Sequence, residues 1–520
     1  MSKVRSKIRV GALALLALLI ETTAPGRATA QSVLDRAAAT ITEAEYLERV
    51  GVIAHDSMYG RDTPSPGLDK TAAWIASELQ SFGVRGGAEG GGFLQRYPLR
   101  SLVVDLEASG LTGGARRLAY GADIVPLFGA DGGGGATAGL LLVSGTRDLG
   151  RAIADNAVRA QHAVLVLPAN APGVDQEALR YAMTLRNAGA ASVLVTSNAD
   201  DASWSADAVR ALEPSVARGW EARSVGPGPF RPVLVVRTSA LADLLRGTGV
   251  DLAALQARGA EPVRVDRVRE LTLTLTQRSR EEEITAPNVV GILEGSDPAL
   301  RNEYVVFSAH MDHVGIGTPD QRGDSIFNGA DDDASGTIAV VEIAEAMASL
   351  PTPPRRSMLF LLVSGEEKGL WGSEYFADNP SVSAEQMVAN LNMDMIGRNW
   401  PDTIVAIGKE HSDLGATLER VNAAHPELGM TAIDDLWPEQ SFYTRSDHYN
   451  FAVKGVPVLF FFNGTHADYH GRDDEVDRID GEKAARIARL VFHLGAEIGN
   501  ADARPAWNPE SYARIVTDRP

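Results

Sequence analysis

The chain has 520 residues, a formal net charge of -19 and no cysteine. The negative charge repels phosphate backbones and anionic lipid, so neither nucleic acid nor a membrane surface is expected as a partner. Without cysteine, the chain forms no disulfide, and any metal site must use histidine and carboxylate side chains. The length predicts two or three packed units rather than one core.

Residues 1–30 have the pattern of a secretory signal peptide. The apolar run from Val10 to Ile20 is about half of what a membrane-spanning helix needs. It is followed by the small-residue cleavage pattern Ala28-Thr29-Ala30, which argues against the alternative of an uncleaved anchor. Four basic residues precede the apolar run: Lys3, Arg5, Lys7 and Arg9. The sequence therefore predicts export to the periplasm or the medium.

Residues 31–103 and 104–270 differ in character. In the first stretch, apolar residues recur at helical spacing from Thr42 to Phe82, and a strand follows at Phe93–Leu99. The second stretch predicts a compact β-rich unit with a scaffold or lid role. Its predicted elements are strands at Leu140–Val143, Ala163–Leu167, Ser192–Thr196 and Pro232–Val236 and a helix at Gln176–Ala188.

From Leu271 onward, strands and helices alternate. Continuous apolar runs such as Leu359–Val363 predict strands covered on both faces, so residues 31–103 and 271–500 together predict an α/β domain with a mostly parallel sheet flanked by helices. Residues 501–520 predict a peripheral tail. The predicted strands are Leu271–Thr276, Asn288–Leu293, Tyr304–Ala309, Ser357–Val363, Met387–Met393 and Pro457–Phe462, and the predicted helices are Gly336–Ala348, Gly369–Asn379, Ser412–Ala424 and Gly481–Ile498.

Residues that bind metals follow several of these strands. In such sheets, ligands bind beyond the carboxyl ends of the strands. His310, Glu367 and Asp394 each come at a strand end, Asp332 precedes the helix at Gly336, and His470 follows the last strand. Each of these residues, taken alone, has an ordinary explanation, such as a surface ion pair, a helix cap or a solvated turn. Their convergence on one edge predicts a metal centre.

The residue types suit two zinc ions, which sit roughly 3.5–4 Å apart in hydrolytic pairs and need a bridging carboxylate. Asp332 suits that bridge, with His310 and Asp394 on one ion and His470 and Glu367 on the other. Three further residues are predicted to be catalytic. Glu366 is expected to be the general base, Asp312 to orient the ring of His310, and Tyr469 to stabilise the oxyanion.

The same residues resemble the M28 family of zinc aminopeptidases. The matching segments, in order, are SAHMDHVG (308–315), GADDDASG (329–336), SGEE (364–367), NMDMIG (392–397), RSDH (445–448) and the Tyr469-His470 pair. The resemblance implies a bacterial, exported member with the ligand and base roles given above and a cis peptide between Asp332 and Asp333. It also implies that Arg445 and Asp447 lie near the substrate pocket. Residues 104–270 resemble a protease-associated insert.

The predicted reaction is hydrolysis of the N-terminal residue from a peptide. The free amine would lie against Glu366, Asp394 and one zinc. A bulky apolar first side chain is expected, in a pocket drawing on four aromatic residues: Trp437, Phe442, Tyr443 and Phe461. Three histidines stand outside the ligand pattern and are expected to be structural or to contact ligands or substrate: His313, His448 and His466.

Three alternatives remain open at this point. A carboxypeptidase or dipeptidase would use the same zinc pair but needs a basic pocket for the terminal carboxylate. A glutaminyl cyclase would use one zinc. A metal-free, receptor-like module would have lost a ligand or the base, whereas all six positions here are chemically competent. The sequence does not indicate the oligomeric state.

Overall fold

The computed structural model describes residues 33–128, 133–145, 147, 158–171, 174–212, 214–220, 230–259 and 261–517. The chain divides into two compact units, Met1–Gln95 with Pro287–Pro520, and Arg96–Ala286. The predicted signal peptide, residues 1–30, lies outside the described residues, so its structure and cleavage stay a prediction. Among the described helices, none has both the length and the apolar character that crossing a bilayer requires.

The chain enters the first unit through two capped helices and two strands. Thr42 accepts a hydrogen bond from the backbone N–H of Glu45, and Ser65 does the same for Leu68, so each side chain caps the helix that follows it. The elements in this part are α1 (Glu43–Ile53), α2 (Pro66–Ser81), β1 (Arg85–Gly86) and the first two residues of β2 (Leu94–Val104), which continues into the second unit.

The second unit is a sheet with helices. Its strands are β3 (Gly110–Gly113), β4 (Arg116–Ala119), β5 (Ile124–Phe128), β6 (Gly134–Ser144), β7 (His162–Val166), β8 (Ser192–Ser197), β10 (Val233–Arg237) and β11 (Arg264–Gln277). The short strand β9 (Ser215–Arg218) pairs with β2 instead of joining this sheet. Its helices are α3 (Gln176–Asn187), α4 (Asp201–Ala211), α5 (Thr238–Leu245) and α6 (Leu252–Gln256).

The strands of this sheet run in the order β4-β3-β11-β6-β7-β8-β10-β5. Strands β6, β7, β8 and β10 are parallel to their neighbours within that group, and the connections from β7 to β8 and from β8 to β10 contain the helices α3 and α4, as parallel crossovers usually do. Leu140 and Leu142 pack with α5, whereas Leu141 and Val143 pack with α3, so both faces of the sheet are covered. Residues 96–286 are thus a layered α/β unit with more helix than the sequence suggested.

The rest of the first unit carries most of its sheet. Its strands are β12 (Ser279–Leu293), β13 (Tyr304–His310), β14 (Ser357–Val363), β15 (Met387–Met393), β16 (Thr403–Ile407), β17 (Thr431–Ile433) and β18 (Val458–Phe461). Its helices are α7 (Gly336–Ala348), α8 (Trp371–Asp378), α9 (Leu414–Ala424), α10 (His448–Ala452), α11 (Gly481–Asn500) and α12 (Pro509–Tyr512).

This sheet is mixed, with a parallel centre. Its order is β17-β16-β18-β15-β13-β14-β12-β2-β9, with β1 also paired to β12, and β13 pairs in parallel with both β14 and β15. Strand β15 is also parallel to β18, while β12 and β16 pair antiparallel with β14 and β18. The predicted fold class, a mostly parallel mixed sheet flanked by helices, is confirmed.

Alternate side chains of the central strands enter two different cores. Leu359 and Leu361 of β14 pack in one cluster with Phe376 of α8 and Phe451 of α10. The opposite face carries Phe307, which approaches Gly495 of α11 closely. Because successive strand residues point to opposite faces, apolar residues at every position bury the sheet on both sides.

The structure changes three of the predicted boundaries. The second unit is Arg96–Ala286 rather than 104–270. The predicted strand Leu271–Thr276 is part of β11, which pairs with β3 and β6 in that unit, so it does not belong to the predicted α/β domain. The tail after residue 500 is not peripheral, since Trp507 donates a hydrogen bond to the carbonyl of Gly455 and Ile515 joins the core.

Candidate metal centre

The four central parallel strands bring their carboxyl ends to one edge of the sheet. The register pairs His310 of β13 with Val363 of β14, and Met393 of β15 with Phe461 of β18. The loops that leave these strands therefore start side by side. These loops carry Glu367, Asp394 and His470, while His310 is the last residue of β13 and Asp332 lies in the turn that leads into α7.

The carboxylate of Asp332 lies between two histidine rings. Its Oδ1 is 3.4 Å from Nε2 of His310, and its Oδ2 is 3.1 Å from Nε2 of His470. His310 Nε2 is also 3.6 Å from Oδ1 of Asp394, and His470 Nε2 is 3.0 Å from Oε2 of Glu367. The structure thus brings all five predicted ligands together, as two groups that share Asp332.

Backbone and side-chain contacts fix the position of Asp332. The carboxylate of Asp474 accepts the backbone N–H groups of Asp331 and Asp332 at 3.0–3.1 Å. The peptide bond between Asp332 and Asp333 is cis, as the resemblance implies. The carboxylate of Asp333 accepts hydrogen bonds from the backbone N–H groups of His310 and Gly336 at 3.2 and 2.9 Å. Asp333 therefore stabilises the backbone around the site.

The donor set fits divalent cations. Imidazole nitrogens and carboxylate oxygens are the zinc ligands available to a chain without cysteine. Among the described residues, Asp332 Oδ2 and Glu367 Oε1 are buried and have no hydrogen-bond partner. An unpaired buried polar atom costs about 1–3 kcal/mol, so these oxygens are positioned for a ligand rather than for the protein interior.

The electrostatics agree with a site for positive charge. Burial opposes ionisation of Asp332, but His310, His313 and His470 lower the pKa of its carboxyl well below the usual range. Burial also opposes the charged ring of His470, yet the adjoining Asp332 and Glu367 raise its pKa to about 10. The cluster of carboxylates therefore attracts cations strongly.

The predicted catalytic residues lie around the same edge. Glu366 lines the pocket beside the ligands, and its backbone N–H donates to Oδ1 of Asp312 at 3.3 Å. Burial raises the pKa of Glu366 well above its usual range, and the charges of Asp447 and Asp394 add to that rise. Tyr469 lines the pocket too, with its ring stacked on His470 at 3.9 Å.

Asp312 contacts the ring of His310 mainly through its backbone. Nδ1 of His310 lies 3.2 Å from the carbonyl oxygen of Asp312 and 3.7 Å from its carboxylate. The expected orientation of the ring by Asp312 is thus exerted first by the carbonyl. Because Nδ1 faces this acceptor, Nε2 is the nitrogen presented to Asp332 and Asp394.

An apolar pocket adjoins the ligands. Phe442 and Arg445 line it as expected from the sequence, whereas Tyr443 and Asp447 do not, and Asp447 is fully buried. Phe461 points away from the pocket because successive strand residues alternate in direction. The other residues that line the pocket beside the ligands are Met395, Ser446, Phe460, Phe462 and Thr465. Trp437 packs behind the lining, 5.8 Å from the rings of Phe442 and Phe462.

The three surplus histidines have different surroundings. His448 is stacked on Phe460 at 4.4 Å, and burial lowers its pKa to about 3, so it is a neutral packing residue. His466 lies outside the ligand groups, with Nε2 3.2 Å from Oδ2 of Asp331. His313 is within the centre, 2.9 Å from Glu367.

Sequence reasoning missed two residues that support the site. Thr63 and Arg61 precede α2 and carry no motif that the sequence analysis used. Arg61 is fully buried and donates hydrogen bonds of 2.5–2.9 Å to the carbonyl oxygens of Ile53, Met311, Asn328 and Gly329. It joins the loop after His310 to the loop before Asp332. No local pattern could have indicated these long-range contacts.

A larger cavity of about 610 Å³ lies in the second unit. Its lining includes Trp204, Phe128 and Arg210 and, among titratable acids, only Asp207. It lacks the ligand chemistry of the edge described above, so the smaller pocket is the candidate functional site.

Comparison with known proteins finds similarity in the part of the chain that carries the predicted ligands. Residues 288–495 match the model of Peptidase family M28. Aminopeptidase YwaD of Bacillus subtilis is 24% identical over 273 residues, which cover 50% of this chain and 54% of that protein. A probable zinc metalloprotease of Pyrenophora tritici-repentis is 32% identical over 264 residues, 43% of this chain and 53% of its own. The chain thus spans about half the length of these curated relatives.

Similarity also extends to solved structures. The crystal structure of BSAP, a zinc aminopeptidase from Bacillus subtilis, aligns over 92% of this chain and 98% of its own, with a TM-score of 0.50 and 18% identity. At that identity, the likeness shows the fold alone.

Proposed function

Since residues 288–495 match the model of Peptidase family M28, we propose that this chain is a di-zinc aminopeptidase that removes N-terminal residues from peptides. The observation that carries the proposal is the position of Asp332, whose two oxygens face His310 and His470 separately. A carboxylate in that position can bind two cations at once. The names of the relatives, an aminopeptidase and a zinc metalloprotease, support the reaction and the metal.

Zinc ions held by His310, Asp394, Asp332, Glu367 and His470 would polarise the scissile carbonyl and lower the pKa of the attacking water. The chain's own residues supply the proton transfers. Glu366 lines the same pocket, where its carboxylate can accept the proton from water and pass it to the leaving amine. The Tyr469 hydroxyl would donate a hydrogen bond to the developing oxyanion.

The pocket accounts for two parts of the proposed specificity: a free N-terminal amine and an apolar first side chain. The carboxylates of Glu366 and Asp394 provide negative charge for a free α-amine. The apolar wall of Phe442, Phe460 and Phe462 provides space for an apolar first side chain. We further propose that the enzyme is exported by residues 1–30 and acts on peptides outside the cytoplasm.

One observation favours a second candidate, a carboxypeptidase of the same fold. Arg445 lines the pocket, and its guanidinium lies 4.7 Å from the ring centre of Phe442. A basic group there could hold a terminal carboxylate. The surrounding carboxylates favour the aminopeptidase, because an incoming carboxylate would face their repulsion.

The test combines metal analysis with a matched substrate panel. Purified protein should contain two zinc ions per chain and hydrolyse leucyl-p-nitroanilide and Leu-Gly but not their N-acetylated forms. Hydrolysis of an N-blocked dipeptide with a free carboxyl terminus, without activity on the free amines, would identify the carboxypeptidase instead. Absence of bound metal together with absence of peptidase activity would refute both.

A further inference from the structure

His313 lies three residues after His310 and is fully buried. It lies beside the ligand group formed by Asp332, Glu367 and His470. Its Nδ1 is 2.9 Å from Oε1 of Glu367 and 3.7 Å from Oδ2 of Asp332. Its ring centre is 5.7 Å from that of His470, and the two rings are inclined at 71°. These contacts place the imidazole beside the same two carboxylates that His470 approaches.

Four buried polar atoms of this group, all in His313, Glu367 and Asp332, have no hydrogen-bond partner in the described residues. Within the described part of the chain, neither ring nitrogen of His313 makes a hydrogen bond, and neither do Glu367 Oε1 and Asp332 Oδ2. The approach of Nδ1 to Glu367 is therefore short, but its direction does not suit a hydrogen bond. Leaving such buried atoms unpaired destabilises the fold, and a shared cation would satisfy them.

The spacing of the atoms suits ligands of one ion. Atoms bound about 2.0–2.2 Å from the same zinc lie roughly 3–3.6 Å from one another. In the group of His470, Asp332, Glu367 and His313, the separations are 3.1, 3.0, 2.9 and 3.7 Å. The separations in the group of His310, Asp332 and Asp394 are 3.4 and 3.6 Å. The two distances from His313 lie just outside that range, one on each side, and its ligand atom lies within 4.8 Å of those of Asp332 and Glu367, close enough for one ion.

We infer that His313 is a protein ligand of the metal ion held by Asp332, Glu367 and His470. This inference rests on the proposed di-zinc function and makes the centre asymmetric. One ion would have three protein ligands and keep an open position, as catalytic zinc sites do, while the other would have four. The ion with four ligands should be held more tightly, and the ion at His310 and Asp394 should leave first.

The competing arrangement has His313 outside the coordination sphere, donating Nδ1–H to Glu367. Asparagine separates the two roles, because its side-chain amide places a donor near the position of Nδ1 without an imidazole ligand. The variants are His313→Asn and His313→Ala. A matched control is His411→Asn, which removes a buried imidazole that contacts Ser511 and Glu410, neither of them a predicted ligand.

The experiment measures zinc content and affinity by chelator titration, and the visible spectrum of each protein loaded with Co²⁺. The wild type and His411→Asn should bind two ions and lose them in two separate steps. In both His313 variants, the more tightly bound zinc ion should lose its high affinity. The drop in zinc affinity should exceed the roughly 10–100-fold that is typical when a residue hydrogen-bonded to a ligand is removed. Their Co²⁺ spectra should change because a ligand is replaced.

The outcomes are separable. If His313→Asn binds both ions with wild-type affinity and an unchanged Co²⁺ spectrum, His313 is not a ligand and the inference is overturned. The same holds if both variants behave as the wild type. If the wild type itself binds fewer than two ions, the proposed di-zinc function fails, independently of His313.

Discussion

The hydroxyl of Thr63 donates a hydrogen bond of 3.0 Å to Oδ2 of Asp312. The same hydroxyl oxygen accepts the backbone N–H of Gly365 at 3.0 Å. Thr63 therefore connects the loop that follows His310 to the loop that carries Glu366. It comes from the stretch before α2, which lies outside the part of the chain that matches the peptidase family.

Thr63→Val should lower activity without unfolding the protein. Valine keeps the shape but leaves the carboxylate of Asp312 and the N–H of Gly365 without this partner, at a cost of about 1–3 kcal/mol. We expect kcat to fall roughly 10-fold or more, in line with about 1.4 kcal/mol per factor of ten. Thr63→Ser keeps the hydroxyl and should restore most of the activity. Equal activity of the valine and serine variants would show that the hydroxyl has no positioning role.

Glu366→Gln should abolish turnover while zinc content stays at the wild-type value. The amide preserves the size of the side chain but cannot accept the proton, and general-base catalysis typically contributes about 10²–10⁴-fold. The measurement is kcat with leucyl-p-nitroanilide alongside metal analysis. Glu385→Gln, at an exposed position, serves as the control. A Glu366→Gln enzyme with wild-type kcat would show that another group is the base.

His493→Gln should make the protein less sensitive to acid. Burial, with a further contribution from the charge of His425, lowers the pKa of His493 from 6.5 to about 4, while Glu427 opposes that shift. As the pH falls below 6.5, the unfolded chain binds the proton first, so the folded state loses stability until about pH 4. The loss attributable to this ring approaches about 3 kcal/mol.

The measurement for His493 is the free energy of unfolding of both proteins between pH 8 and pH 4. Glutamine does not titrate in this range. The free energy of unfolding of the variant should therefore rise relative to that of the wild type as the pH falls. A constant difference over this range would contradict the lowered pKa.

Gly495→Ala should destabilise the protein although alanine favours helices. A Cβ at this position of α11 would lie 2.2 Å from Cζ of Phe307. Overpacking of this kind costs about 1–3 kcal/mol and exceeds the gain in helix propensity of about 1 kcal/mol. Gly51→Ala in α1, where a Cβ would meet nothing within 4 Å, should instead stabilise. Denaturant unfolding of the two variants measures both effects.

The central sheet was accessible from the sequence because its strands are continuous apolar runs. Ser357–Val363 and Met387–Met393 have the predicted bounds. The domain boundary was not accessible, since the strand at 271–276 has the same local pattern whichever sheet it joins. Its pairing with β6 depends on contacts between residues that are far apart in the sequence. The pocket shows a similar limit: Phe461 is as apolar as Phe460 and Phe462, and only the direction of the strand determines which of them line it.

The sequence by itself determined the fold class and which five residues converge, because each predicted ligand stands at a strand end or a helix entrance and parallel strands share an edge. Only the tertiary structure decided that Asp332 faces two histidines and that His313 joins one of those groups. It alone revealed that Thr63 and Arg61 hold the loops in place. These depend on distances between residues up to hundreds of positions apart in the chain, which no local pattern of residues encodes.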